Sequence, residues 1–135
     1  MRSESFTIIE LIISVFILTV GISAVLYMFP IGIQIQKASQ MATVAIQLSQ
    51  GKMEEIISKS YGEIIAGTVE EDYGFDSDFS SYRRETEISY FNPENPQIVP
   101  VSDLGIKKIQ VTVFWRSPLG ISEKEIKLIT LFARK

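Results

Sequence analysis

The chain has 135 residues, a formal net charge of −3, 46% hydrophobic residues, and neither histidine nor cysteine. That length bounds it to one domain plus whatever its apolar block does. The missing imidazoles and thiols remove disulfides, thiolate nucleophiles, histidine bases and most zinc or transition-metal sites. No basic patch with interleaved aromatics is present, which argues against a nucleic-acid partner.

The apolar block comes first. From Leu11 to Ile33 there is no charge, and the run exceeds the ~20 apolar residues a membrane helix needs. A cleaved secretory signal has an apolar core of only about 7–15 residues followed by a small-residue cut site. Ser23-Ala24 could mimic such a site, but apolar sequence continues past it. A membrane-inserted helix is therefore expected. Arg2 is offset by Glu4 on one side and Lys37 stands on the other, so charge sets the orientation only weakly. Glu10 is the anomaly, because a carboxylate in hydrocarbon costs a few kcal/mol and calls for a partner.

One long helix is predicted from Phe6 to about Ser60. Gly21, Pro30 and Gly32 lie inside it; in water they would break it, whereas in a membrane Pro30 is expected to give a kink. Beyond Gln34 the pattern turns amphipathic. Met41, Val44, Ala45, Leu48 and Ile56 form a wide apolar stripe, and Ile46, Met53 and Ile57 a narrower one. Two stripes imply two packing partners: the chain's own sheet and something else. Lys52 falls within the apolar stripe, where its stem packs and its ammonium snorkels.

Residues 61–81 read as an acidic connector loop, punctuated by Gly62, Gly67 and Gly74 and carrying Glu70, Glu71, Asp72, Asp76 and Asp78. Residues 82–135 read as antiparallel sheet. In "IKKIQVTVFW", Ile109, Val111, Val113 and Trp115 alternate with Gln110, Thr112 and Phe114, the period of a half-buried strand. "EIKLITLFA" alternates in the same way, and "RSPLG" between them, with Pro118 and Gly120, is turn chemistry. "RRETEISYF" is a third strand, ended by the prolines of "NPENP". The expected class is α+β: a long helix whose amphipathic half, residues 34–60, covers a small sheet of three or four strands. Trp115 is expected in the core between the two layers.

Phe6, Thr7, Ile8, Ile9 and Glu10, followed by an apolar helix, resemble the amino terminus of type IV pilins and of the pseudopilins of type II secretion. The family signature is a short leader, a small residue at the cut, phenylalanine or methionine, then Thr-Leu-Ile-Glu; here isoleucine stands for leucine. The resemblance implies a type IV pilin-like fold with residues 1–5 as leader and 6–33 as transmembrane and assembly helix. It implies cleavage between Ser5 and Phe6 by a prepilin peptidase and methylation of the new Phe6 amine. It also implies that Glu10 pairs with a neighbouring subunit's amine, an ion pair that would offset the burial of either charge. The implied partners are other pilins or pseudopilins, the inner-membrane assembly platform and membrane lipid. The implied location is the inner membrane, with an extracytoplasmic domain, and then a filament at the cell surface or in the periplasm. The "QLSQGKMEEI" helix and the "VTVFW" strand with its closing "LITLFAR" resemble the minor pilin and minor pseudopilin branch. Ser5 stands where the family prefers glycine, Pro30 lies further along than the family's kink proline, and no disulfide-bounded carboxy-terminal loop can form without cysteine.

Other readings stay beside this one. Glu10 in the first turn of a helix also interacts favourably with the macrodipole. Asp72, Asp76 and Asp78 have the chemistry of calcium ligands, but they lack the EF-hand spacing, so a solvated acidic loop with no cofactor is the favoured expectation. Glu54 with Glu55 and Glu85 with Glu87 are not placed around a cleft, and no phosphate loop or nucleophile elbow is present, so no enzymatic activity is expected. The alternative to a filament subunit is an uncleaved, single-pass accessory or binding protein with an extracytoplasmic sheet domain.

Overall fold

The computed structural model describes residues 7–116 and 122–134. Its first element is a single helix, α1 (Ile8–Ile57), helical on both sides of Pro30. Four strands follow: β1 (Gly67–Glu71), β2 (Tyr82–Tyr90), β3 (Ile106–Arg116) and β4 (Glu123–Ala133). They form one sheet in the order β1-β2-β3-β4, every neighbouring pair antiparallel. The chain is thus α+β, a long amino-terminal helix packed on a four-stranded antiparallel sheet. It divides into two compact units, Met1–Lys37 and Ala38–Lys135.

In the second unit the core lies between the carboxy-terminal half of α1 and one face of the sheet. Ala45, Met53 and Ile56 from the helix meet Ile109, Val111, Val113 and Trp115 from β3, with Tyr82 and Ile64 completing the cluster. The alternation in β3 places its aliphatic residues and Trp115 inward, as expected from the period of two. Tyr82 fastens the layers at one end by donating its hydroxyl to the Met41 carbonyl at 3.1 Å. At the other end the Lys107 ammonium, buried on the same face of β3, donates to the Tyr61 carbonyl at 2.9 Å and to the Ile64 carbonyl. A buried lysine is tolerable only with such partners. The β-pattern alone marks Lys107 as a break in the apolar alternation and does not reveal them.

The structure corrects several details of the sequence reading. Met53 belongs to the buried stripe, not to the second one, while Ile46 and Ile57 remain exposed. Leu48 is only half-buried. The stretch 61–81 is not all loop: it contains a 3₁₀ turn (Tyr61–Glu63) and β1. The glutamates of β1 concealed the strand, since one edge of it has no neighbour and its side chains can stay solvated. Thr112 is buried on the face of the sheet away from the helix. Lys52 is half-buried as expected and pairs with Glu55 at 2.9 Å, and Glu55 also meets Lys59 at 3.5 Å. The predicted turn at Pro118 and Gly120 lies outside the described residues.

Candidate functional site

Ser5 and Phe6, the expected cleavage and methylation positions, lie outside the described residues. Glu10 lies in the first turn of α1 and is exposed. Its backbone N–H donates to the Thr7 carbonyl at 3.1 Å, with the Thr7 hydroxyl oxygen at 3.4 Å. Thr7-Ile8-Ile9-Glu10 is therefore the start of a helix with the threonine at the cap and the glutamate three residues on, the spacing of a capping box. Sequence reasoning missed this second role for Thr7, although the T-x-x-E pattern could have revealed it.

The rest of the first unit explains why that carboxylate stands out. Ser14, Thr19 and Ser23 are the serines and threonine of the apolar stretch, and each donates to the carbonyl four residues back, at 2.7–2.8 Å. They hide their polarity inside the helix, a tactic suited to a medium without water. The Glu10 carboxylate has no hydrogen-bond partner among the described residues. Glu10, Gly21 and Gly32 are each eleven residues apart, which is three helical turns with a drift of only about 20°. The carboxylate and both glycines thus share one side of the helix, and Pro30 lies roughly opposite. Apart from the helix's own backbone, nothing lies within 4 Å of where a Cβ would stand on either glycine. Shallow apolar grooves run beside them, one lined by Ile17, Leu18, Ile22 and Leu26 and the other by Met28, Phe29, Ile33 and Gln36, with Val25 common to both. Small residues along one side of a helix are what permits close helix–helix approach in lipid. The spacing of eleven is readable in the sequence, but it lies in the uniformly apolar half of the helix, where no polar face sets it off.

Asp72, Asp76 and Asp78 do not gather into a cation site. Asp76 accepts the Asp78 N–H at 2.9 Å in its own turn, and no group of three or more metal-ligating carboxylates occurs among the described residues. Other carboxylates fasten the domain. Glu71 receives Nε and Nη2 of Arg84 at 2.7 and 2.9 Å, and that bond holds its pKa below the ordinary carboxylate value. The same guanidinium lies 4.9 Å from the centre of the Phe75 ring. Glu123 takes two bonds from Arg83 at 3.1 and 3.0 Å and one from the Tyr73 hydroxyl at 2.6 Å; these bring its pKa down to about 2. Asp103 accepts from the Tyr61 hydroxyl and from Arg134, and Tyr61 is pushed up to about 12, first by desolvation and then by Asp103.

No protein-family model, no curated protein and no solved structure matches this chain. The functional reading therefore rests on the site itself. α1 is long and apolar enough to cross a membrane, and none of its most apolar window is buried inside the protein.

Proposed function

We propose that this chain is a structural subunit of a type IV pilus-like filament, of the minor pilin or pseudopilin kind. In this reading it is inserted in the inner membrane with its sheet domain extracytoplasmic, cut before Phe6 by a prepilin peptidase, methylated on the new amine, and drawn by an inner-membrane platform into a filament. The observation that carries it is Glu10: a carboxylate without a partner among the described residues, on an exposed apolar helix, in line with the open flanks of Gly21 and Gly32. A partner must come from elsewhere if the helix is buried in a bundle, because breaking a buried pair costs about 3–5 kcal/mol. The amine of a neighbouring subunit has the required charge and follows from cleavage four residues upstream. Mass analysis of the amino-terminal peptide, from filaments sheared off the native host, tests this. N-methyl-Phe6 is expected, and intact peptides from Met1 would refute it.

Ser5 favours a second reading, an uncleaved membrane-anchored accessory protein, since it replaces the glycine preferred at the cut. The same mass measurement separates the two.

A further inference from the structure

The two free edges of the sheet complement each other. Strands β1 and β4 are the outer strands, and three successive antiparallel pairings make them run in opposite directions. Two copies with the same orientation, placed side by side, therefore bring β4 of one against β1 of the next in antiparallel sense. Membrane anchoring by an identical helix sets neighbouring copies the same way up. An edge strand presents a row of unpaired N–H and C=O groups, and another strand is the partner that satisfies them.

The register can be derived. Val69, Thr86, Val111 and Leu128 form one row across the sheet, and Glu70, Glu85, Thr112 and Lys127 form the next. A junction without a shift extends those rows from one copy to the next. Val69 then meets Leu128 on the face that carries the helix, Thr68 meets Ile129 on the other face, and Glu70 meets Lys127. Side chains stay on matching faces, as the pleat requires. A shift by two residues in one direction sets Glu70 against Glu125, and in the other against Ile129. Of these three registers, only the unshifted one sets a cation against Glu70.

Within one chain these residues are poorly served. Glu70 lies directly opposite Glu85, a like-charge pair that disfavours the ladder. Neither glutamate, nor Lys127, has an ion-pair partner among the described residues. Val69 is 57% exposed and Ile129 is 52% exposed. Glu71, the other acid of β1, is already held by Arg84 and would face the apolar Ile126. We propose that membrane-anchored copies join laterally by adding β1 of one chain to β4 of the next, so that the sheet continues from copy to copy with Lys127 supplying the cation missing beside Glu70. The junction is heterologous and open, so it propagates beyond a pair. Its short span suffices because confinement in a bilayer raises the effective concentration of the edges. The inference rests on the helix as an anchor and holds whether or not the leader is cleaved.

The chain lacks cysteine, so engineered pairs report without background. Thr68→Cys and Ile129→Cys combined in the full-length chain sit three strand spacings apart in their own sheet, about 14 Å, beyond the ~7 Å Cα limit of a disulfide. Mild oxidation of membranes holding this variant is expected to give a ladder of dimers, trimers and higher forms, while either cysteine alone gives dimers at most. Adding Glu70→Lys or Lys127→Glu should lower the yield about three- to tenfold, and combining both reversals should restore it. All four positions are exposed, so folding is not at stake. Absence of a ladder in membranes overturns the junction, whether or not filaments form. A ladder indifferent to both reversals, or stronger with Leu131→Cys in place of Ile129→Cys, overturns the register and with it the proposal.

Discussion

The two units of this chain hold their apolar residues under opposite conditions. In the first, Ile8 through Ile35 stand exposed along a helix whose serine and threonine hydroxyls are turned back onto its own carbonyls. In the second, Ile109, Val111 and Val113 are wholly buried and the carboxylates of Glu71, Glu123 and Asp103 are held by cations or hydroxyls. The sheet domain closes most of these interactions within itself. The first unit closes its backbone and leaves its surface to the surroundings, with the carboxylate of Glu10 as its conspicuous open group. Under the proposed reading, the partner of that charge and of that apolar face lies outside the chain.

The sharpest way to break that contrast is at Glu10. Glu10→Gln keeps shape and a hydrogen-bond acceptor but deletes the charge, and Glu10→Leu makes the helix more apolar. Insertion should be unimpaired by both, and the melting temperature of the sheet domain should not move. Incorporation into filaments should fail for both, measured by the fraction of chain in sheared filaments against membrane. Normal incorporation of both variants would reduce Glu10 to a helix-end carboxylate.

The opposite pattern is expected in the second unit. Ile109→Ala removes a fully buried side chain between helix and sheet and should cost about 2–5 kcal/mol, read by denaturant melts in detergent. Leu48→Ala, half-buried, should cost less than Ile109→Ala. Equal costs would mean that the helix packs more tightly than the structure shows. Arg84→Met leaves the Glu71 carboxylate half-buried without its two bonds, at about 1–3 kcal/mol, and should leave assembly through α1 untouched.

How much of this was legible beforehand depends on which physics wrote each element. The β3 alternation, the apolar block and Trp115 in the core follow from periodicity, which sequence displays directly. β1 was hidden because a strand with an open edge tolerates Gly-Thr-Val-Glu-Glu, a composition that also suits a loop. Met53 was assigned to the wrong stripe because faces on a helix drift with length, and only the packed sheet decides how wide the buried arc is. The clamps of Arg84 on Glu71 and of Lys107 on the Tyr61 and Ile64 carbonyls join residues far apart in the chain, and no local pattern announces them. At Glu10 the position was legible and the capping geometry was not.

A pH titration sharpens the contrast from the side of the domain. Glu71 and Glu123 have pKa values lowered by Arg84 and Arg83. A depressed folded-state pKa contributes stability that is present above the unfolded value and lost as pH falls through the folded one. The domain should therefore lose melting temperature from about pH 4.3, the ordinary glutamate value, down to the Glu123 value of about 2. Glu123→Gln should flatten the lower part of that slope. A profile unchanged by the substitution would show that the bonds from Arg83 and Tyr73 contribute nothing to folding.

The smallest expected effect is at Thr7, and it separates the two roles that meet at Glu10. The Thr7 hydroxyl lies 3.4 Å from the Glu10 N–H, long for a hydrogen bond. The Thr7 carbonyl takes the same N–H at 3.1 Å and that of Leu11 at 3.2 Å. Thr7→Val keeps the branched shape and removes only the hydroxyl. The carbonyl remains, so the loss should fall at the low end of the cap range, about 0.5 kcal/mol. It should be confined to the first turn, since fraying there does not spread through a long helix. Hydrogen exchange of the amides from Ile8 to Leu11 in detergent should quicken about twofold, while the melting temperature and filament incorporation stay as they were. If Thr7→Val instead abolished incorporation as Glu10→Gln is expected to, the first turn would have to act as one capped unit. The charge of Glu10 would then matter for holding that turn, and pairing with a neighbour's amine would lose its support.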